Sequence, residues 1–380
     1  MSLIILFCAI LSLAYMSIVL FLYGGIRQLS PSTAANNLKF SVVVASHNEE
    51  SGIEQCLASV LSQSIDTGRF EVICVNDRST DATAAIASAL AARRHNLSVV
   101  TVAETPMGVS PKKHAVLAGI SRARNEIIVF TDADCRVAPT WLDTIDRYMT
   151  PDTGFVQGIT AYEYVPGMNR FFFGLQALDF CSHAVVSAAA IGAGLPINSN
   201  ANNCAFRKKA FEDAAGYGKD AVVISGDDDM LLQRIWKKTS WRIRYMADLS
   251  GAVRTLPTPT IGGVFEQRKR WGSKTIHYGM RQVAVLSGVF AFYCAIVALV
   301  GAGIFMHRYL AIAGCMVIVK IAGEALLMIP GTRIMGQTAL RKYLVFGSLV
   351  QLPVVIGATV LGVFWRFAWK GQTFARKASS

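Results

Sequence analysis

Charge is scarce in this sequence. Only 16% of its 380 residues are Asp, Glu, Lys or Arg, against 53% that are hydrophobic. An ordinary soluble enzyme carries more charge than this, so membrane segments are the first expectation. Arginine-rich tracts and RNA- or DNA-binding signatures are missing. The net charge of +12 therefore points to cytoplasmic segments facing anionic lipid, not to nucleic acid. The cysteines Cys8, Cys56, Cys74, Cys135, Cys181, Cys204, Cys294 and Cys315 form no CxxC pair and no Cys/His cluster with zinc spacing. That pattern speaks against a zinc site and leaves free thiols in a reducing cytosol as the expected state. G-x-G-x-x-G does not follow the first apolar run, which argues against an ordinary dinucleotide site. Internal repeats and low-complexity tracts are also lacking.

What is abundant is long, uncharged apolar sequence. Residues 2–23 and 282–306 carry no charge, and each is long enough at ~1.5 Å per residue to cross a ~30 Å hydrocarbon core. The first lacks the basic start and short apolar run of a cleaved signal peptide. Its first flanking cations, Arg27 and Lys39, follow the span, so the N-terminus is expected outside and residue 25 onward in the cytoplasm. A third stretch, 309–330, is interrupted by Lys320 and Glu324. Their i, i+4 spacing lets them pair on one helix face and avoid lipid. A fourth, 343–365, contains Pro353 as a kink. Four full spans would leave the tail outside, yet Arg366, Lys370, Arg376 and Lys377 favour the inside. One late segment is then expected to be re-entrant or interfacial, the third being the weakest spanning candidate. The expected division is an N-terminal transmembrane helix at 1–24, a cytosolic domain at 25–280, membrane segments at 281–367 and a basic tail at 368–380.

The polar middle alternates strand and helix signals. FSVVVAS (40–46), FEVICVND (70–77), LSVVTV (97–102) and EIIVFTD (126–132) are compact apolar runs. Helical candidates separate or follow them at 49–63, 80–94, 112–123 and 139–149, the third after Ser110-Pro111. Continuous β-branched runs divided by helices indicate an α/β, Rossmann-like fold with a mixed, mostly parallel sheet covered on both faces. Ligands in such sheets bind beyond the carboxyl ends of the strands. Three of these ends carry polar clusters: Ser46-His47-Asn48-Glu49, Asn76-Asp77-Arg78-Ser79 and Asp132-Ala133-Asp134.

Each cluster has a plain structural alternative. Asp132 and Asp134 can hold Mg²⁺ or Mn²⁺, hard cations that favour carboxylate and phosphate oxygens, or can begin a solvated turn. Asp77 can cap the following helix together with Ser79 and Thr80, or flank a nucleoside with Asp132. Lys112 and Lys113 open a helix against its dipole, a cost that an anionic ligand would relieve; otherwise they are exposed lysines. Asp227, Asp228 and Asp229 crowd three carboxylates before an apolar helix. They either stabilise the helix start or include a general base whose pKa is raised by its neighbours. EQRKRWGSK (266–274) flanks a membrane stretch on the basic side. At i, i+3 and i+4, Gln267, Arg270 and Trp271 share one helix face, able to offer a bidentate guanidinium and a flat indole wall.

Together these segments resemble a membrane-bound family 2 glycosyltransferase with a GT-A fold. SVVVASHNEE resembles the family's first strand and its Asn-Glu; VNDRSTDAT resembles its Asp-Asp-x-Ser-x-Asp stretch, with Asn76 in place of the first Asp. KKHAVLAGI, FTDADCRV and SGDDDMLL resemble its Lys-x-x-Ala-Leu helix, D-x-D strand and acidic base motif, and QRKRW matches Q-x-x-R-W. The resemblance covers about 40–275 and continues in kind into the membrane segments. It implies an inverting, metal-dependent transferase. Glu49 and Asp77 would contact the nucleoside of a nucleotide sugar, a uridine. Lys113 and Asp132 would lie near nucleoside or diphosphate, and Asp134 with Asp132 would hold Mg²⁺ or Mn²⁺. Asp228 would be the catalytic base, ahead of Asp229, where the family pattern is variable. Gln267, Arg270 and Trp271 would close over diphosphate and acceptor. Asn76 departs from the pattern and weakens the nucleoside assignment.

The acceptor is less legible. Residues 169–194 place Phe171, Phe172, Leu175 and Leu178 at helical spacing, as a core helix or as an interfacial helix dipping into lipid. NSNANNCAFRK (198–208) is rich in amides able to hydrogen-bond a sugar or head group. About four spans look too few for a glycan channel. A membrane lipid acceptor is therefore favoured, such as a sphingolipid, diacylglycerol or polyprenyl phosphate. Processive synthesis of an exported polysaccharide is the alternative, and a non-catalytic membrane scaffold a second. The expected location is a bacterial inner (plasma) membrane, catalytic domain cytoplasmic.

Overall fold

The structure, a computed structural model, describes residues 2–218, 221, 226–273, 278–364, 367–369 and 372–374. Arg366, Lys370, Arg376 and Lys377, on which the expectation for the tail rests, lie outside the described residues. The chain divides into two units: residues 1–26, 166–185 and 257–380, and residues 27–165 and 186–256.

The second unit is built on a mixed sheet. Its described strands are β1 (Phe40–Ser46), β2 (Phe70–Asp77), β3 (Leu97–Val102), β4 (Ile127–Asp132), β6 (Thr153–Gly158), β8 (Cys204–Arg207) and β9 (Arg242–Met246). They run in the order β3-β2-β1-β4-β8-β6-β9. The first four are parallel to one another, and β8 is antiparallel to both β4 and β6. The continuous apolar runs are explained by cover on both faces. Val42, Val44, Val72 and Val129 join the core with Ile53 and Leu57 of α2 (Ile53–Leu61) and with Trp141 and Ile145 of α5 (Trp141–Tyr148). On the other face Val43 and Val75 meet α4 (Pro111–Arg122) at Gly119. The helix between β2 and β3 is α3 (Thr83–Ala91). All four expected strands and all four expected helices are present, the helix ends shifted by up to four residues. A small second sheet joins β5 (Arg136–Val137), β7 (Thr160–Tyr162) and β10 (Val253–Thr255) in the order β5-β10-β7.

Short helices complete this unit: α7 (Lys208–Asp213) and α8 (Asp227–Lys238). The amide-rich segment 198–208, expected as a possible sugar contact, is largely spent on the fold. Asn203 is fully buried; it accepts from Trp141 Nε1 at 2.8 Å and donates to the Ile159 and Gly251 carbonyls at 2.8 and 2.9 Å. Asn200 caps a 3₁₀ turn at Ala201–Asn203.

The first unit is helical: α1 (Ser2–Arg27), part of α6 (Arg170–Gly192), α9 (Ile261–Ser273), α10 (Met280–Gly303), α11 (Arg308–Ile334) and α12 (Leu344–Phe364), with a hairpin of β11 (Phe367–Trp369) and β12 (Gln372–Phe374). Five helices among the described residues are long and apolar enough to cross a membrane: α1, α6, α10, α11 and a segment, Thr338–Gly362, that runs into α12. The third apolar stretch is one continuous helix. It is long and apolar enough to cross a membrane, and its two charges are paired. Lys320 is fully buried and donates to the Glu324 carboxylate, to the Ser348 carbonyl at 2.9 Å and to Gln351 Oε1 at 3.0 Å. Glu324 also accepts from Tyr293 Oη at 3.2 Å and from Ser348 Oγ. Within the first unit the start of α6 is packed against neighbours: Phe171 against Phe346 with ring centroids 5.0 Å apart, and Leu178 against Gly347.

Candidate active site

The parallel register sets the geometry of the rim. Ser46 pairs with Asn76 and Ala45 with Asp132, so on either side of β1 the end of β2 at Asp77 lies two residues further along than the end of β4 at Asp132. At ~4.8 Å per strand and ~3.3 Å per residue this puts Asp77 and Asp132 on strand ends about 12 Å apart. The two loops after β1 and β2 are stitched to each other. Asn48 N donates to Ser79 Oγ at 3.1 Å, Thr80 N donates to Asn48 Oδ1 at 2.8 Å, and Glu49 N donates to Thr83 Oγ1 at 2.8 Å. His47 Nδ1 donates to the Asp77 carbonyl at 2.5 Å. Glu49 stands half-buried in this weave. Asn76, the departure from the family pattern, is buried and accepts from Ser79 N at 3.4 Å, so it shapes the loop that presents Asp77.

Asp77 itself is only 5% exposed. Its partner is its own neighbour: Arg78 Nε donates to Oδ1 at 2.8 Å and Nη2 to Oδ2 at 3.1 Å. Asp132 receives Lys112 Nζ at 2.9 Å. Lys113, which the resemblance places near nucleoside or diphosphate, is fully buried, its ammonium 5.7 Å from the centre of the Tyr217 ring. A small cleft lined by Ala45, Lys112, Thr131, Asp132 and Ala201 opens here. Thr131 Oγ1 beside it is buried without a hydrogen-bond partner among the described residues.

Asp134 follows in the turn after β4. Thr255 Oγ1 donates to its Oδ2 at 3.4 Å and Cys135 Sγ to its Oδ1 at 3.5 Å. Burial pushes the Cys56 and Cys135 thiols well up, and the charges of Asp134 and Asp132 add to the effect in both, as Cys74 does for Cys56. These thiols stay protonated at neutral pH and serve as packing under the acidic turn; all eight cysteines are unbridged.

The acidic triplet opens α8 behind Gly226, whose φ of +83° is one that glycine adopts freely. Asp229 is fully buried and accepts from Ser199 N. Asp228 is 8% exposed, and its Oδ1 accepts from Asp229 N at 2.8 Å. A run of contacts connects the triplet to the D-x-D turn. Asp229 holds Ser199, and Asn202 Nδ2, three residues on, donates to Cys135 Sγ at 3.0 Å. The 3₁₀ turn carrying Asn202 packs on β4, and β8 after it pairs with β4. The start of α8 is thereby tied, through residues 199–202, to the turn after β4 that carries Asp134.

No cluster of three or more His, Cys, Asp or Glu side chains suited to a metal occurs among the described residues. Asp132 and Asp134 nonetheless fit Mg²⁺ or Mn²⁺. Both are hard oxygen donors one residue apart. Sites that bind a metal together with substrate phosphates take one or two protein carboxylates, not a full cage. A cationic group, the Lys112 ammonium, already neutralises Asp132.

Gln267, Arg270 and Trp271 lie on α9, in the first unit. Gln267 Oε1 accepts from Arg268 Nη1 at 3.0 Å. Arg268, a residue with no local sequence signal for a role, is 7% exposed, ion-paired with Asp179 of α6, and stacked on the Trp271 indole with Cζ 4.0 Å from the ring centre. His183 meets the same ring edge-on at 5.1 Å. Arg78 and Lys112 were likewise missed as partners of the rim acids. Their only sequence signal was a cation placed next to, or on the helix facing, a strand-end carboxylate.

Residues 41–171 match glycosyl transferase family 2, and residues 127–369 match glycosyl transferase family group 2. The chain belongs to the family 2 glycosyltransferases. It is 29% identical over 103 residues to glycosyltransferase AglE of Haloferax volcanii, covering 27% of this chain and 33% of that protein. It is 30% identical over 100 residues to undecaprenyl-phosphate 4-deoxy-4-formamido-L-arabinose transferase of Pseudomonas aeruginosa, covering 26% and 29%. The chain thus spans only about a third of the length of these relatives. Among solved structures it is similar to the mannosyltransferase PcManGT from Pyrobaculum calidifontis, determined with GDP-Man and Mn²⁺. There the TM-score is 0.53 at 19% identity, over 92% of this chain and 98% of that one. The shared feature is the GT-A fold.

Proposed function

We propose that this protein is an inverting glycosyltransferase. It would move a sugar from a nucleotide sugar, a UDP-sugar, to a lipid acceptor such as a sphingolipid, diacylglycerol or polyprenyl phosphate at a membrane crossed by its apolar helices. The observation that carries the reading is the parallel pairing of β2 and β4 with β1 on either side, which brings the carboxyl ends bearing Asp77 and the Asp132/Asp134 pair out on the same edge of the sheet. Asp77 would take the base, Glu49 and Lys113 would support the nucleoside side, and Asp132 and Asp134 would hold Mg²⁺ or Mn²⁺. That cation would supply positive charge against the departing diphosphate.

The chain's own groups do the remainder. Asp228 accepts the proton of the acceptor hydroxyl as its oxygen attacks the anomeric carbon from the face opposite the diphosphate, and one displacement inverts that centre. Asp229 is unsuited to this because its carboxylate holds the Ser199 backbone. Gln267 and Arg270 are assigned to the diphosphate and Trp271 to the acceptor. The Pseudomonas aeruginosa relative is named for transfer to undecaprenyl phosphate, which favours a lipid acceptor over a growing glycan.

The test is to give purified protein in detergent a panel of radiolabelled nucleotide sugars, Mn²⁺ or Mg²⁺, and a membrane lipid extract. Label that partitions into organic solvent supports the reading. Label retained as polymer would establish processive synthesis instead, and no transfer under any combination would favour a scaffold.

A further inference from the structure

Two residues of the rim adopt backbone angles that side-chain-bearing residues avoid: Asn48 at φ +53° and Arg78 at φ +54°. They lie on the two facing loops and are bridged through Ser79 and Thr80. Conformations of this kind are strained and persist only where surrounding contacts impose them, often at ligand clamps and switches. Arg78 is also the residue whose guanidinium meets the Asp77 carboxylate fork to fork. The Asp77 side chain is 7% exposed and that of Arg78 31%. A carboxylate this buried would be costly unpaired, and among the described residues its side-chain hydrogen bonds and ion pair are all with Arg78.

We infer that Arg78 is a gate on nucleotide affinity, occupying the Asp77 carboxylate until a nucleobase with N–H donors displaces it. This rests on the reading that Asp77 takes the base. Uracil offers one ring N–H between two carbonyls; guanine offers a ring N–H and an amino N–H side by side. Either can replace the guanidinium as donor. Cytosine and adenine present a bare ring nitrogen at that position, which repels a carboxylate. Because the competent state is only the fraction with Arg78 swung away, apparent affinity falls by that fraction for every ligand that uses Asp77. Ligands that do not touch Asp77 are unaffected.

The experiment measures Kd by calorimetry for UDP, GDP and inorganic pyrophosphate, with Mn²⁺, on the full chain. Arg78→Gly suits the positive φ and should fold normally; Arg78→Ala removes the same guanidinium while keeping a β-carbon. Both are expected to bind whichever of UDP or GDP the wild type prefers about tenfold more tightly, equivalent to ~1.4 kcal/mol, with pyrophosphate unchanged. Arg78→Lys, a single point charge, should fall between. Unchanged or weaker nucleotide binding in both variants overturns the gate, and parallel weakening with pyrophosphate would make Arg78 a phosphate contact. Failure of wild type and variants alike to bind either nucleotide would instead overturn the assignment of Asp77.

Discussion

Asp228 and Asp229 are adjacent in the chain and do different work. Asp229 accepts a backbone N–H at the root of the 199–203 segment, whereas Asp228 Oδ1 accepts the helix-start N–H of Asp229. Asp228→Asn keeps that hydrogen bond and removes the proton acceptor. It is expected to lower transfer by about 10²–10⁴-fold while leaving the Kd for the nucleotide intact, checked by turnover assay and calorimetry side by side. Asp229→Ala should act on stability first, by about 1–3 kcal/mol for the orphaned N–H, read as a fall in Tm. At Asp134 the expectation is metal dependence. EDTA should abolish transfer and Mn²⁺ or Mg²⁺ restore it, and Asp134→Ala should not recover with added metal. Full activity in metal-free buffer would refute the role given to this turn.

At the scale of elements, α4 delivers Lys112 and Lys113 to the rim because residue 119 has no side chain. A β-carbon there would stand 2.4 Å from Val43 Cγ1 and 3.1 Å from Val75 Cγ2, so Gly119→Ala must push the helix off β1 and β2. The expected cost is about 1–3 kcal/mol, with weaker nucleotide binding as the lysines shift; unchanged Tm and Kd would show that α4 adapts freely. The opposite ends of β1 and β2 hold an electrostatic clasp. Glu71 is buried, which alone would raise its pKa. Hydrogen bonds from Arg124 N at 2.7 Å and Ser41 Oγ at 2.7 Å, with the Arg124 guanidinium, outweigh burial and leave it below its usual value of 4.5. A depressed carboxylate contributes stability above its unfolded pKa and loses it as pH falls through the folded value. Glu71→Gln should therefore destabilise at pH 7 and flatten the decline in Tm below about pH 4.5.

The whole molecule joins a sheet domain to apolar helices, and each part solves a different burial problem. In the helical unit Lys320 and Glu324 cannot be left single. Lys320→Met would strand a carboxylate among Tyr293, Ser348 and Gln351, at about 3–5 kcal/mol. Lys320→Met with Glu324→Met should recover much of that, as thermal unfolding in detergent would show. In the sheet unit the link after α1 is clamped by Asp146, fully buried. Its carboxylate accepts from the backbones of Asn36, Asn37 and Leu38 at 2.9, 3.0 and 2.9 Å.

The sequence by itself determined the periodicities: which runs are strands, which are apolar helices, and that Lys320 and Glu324 pair, since i, i+4 spacing is local. It also fixed the order of the strand-end acids, from which the family could be read. Tertiary structure alone decided what those acids touch. The antiparallel β8 came from an amide-rich segment that carries no strand signal, and its asparagines became internal ties because Trp141 and two carbonyls needed partners. Asp132 met Lys112 of α4, and Arg268 of α9 met Asp179 of α6, for the same reason. Ion pairing and stacking depend on backbone angles and helix placement, which long-range packing sets and no local pattern encodes.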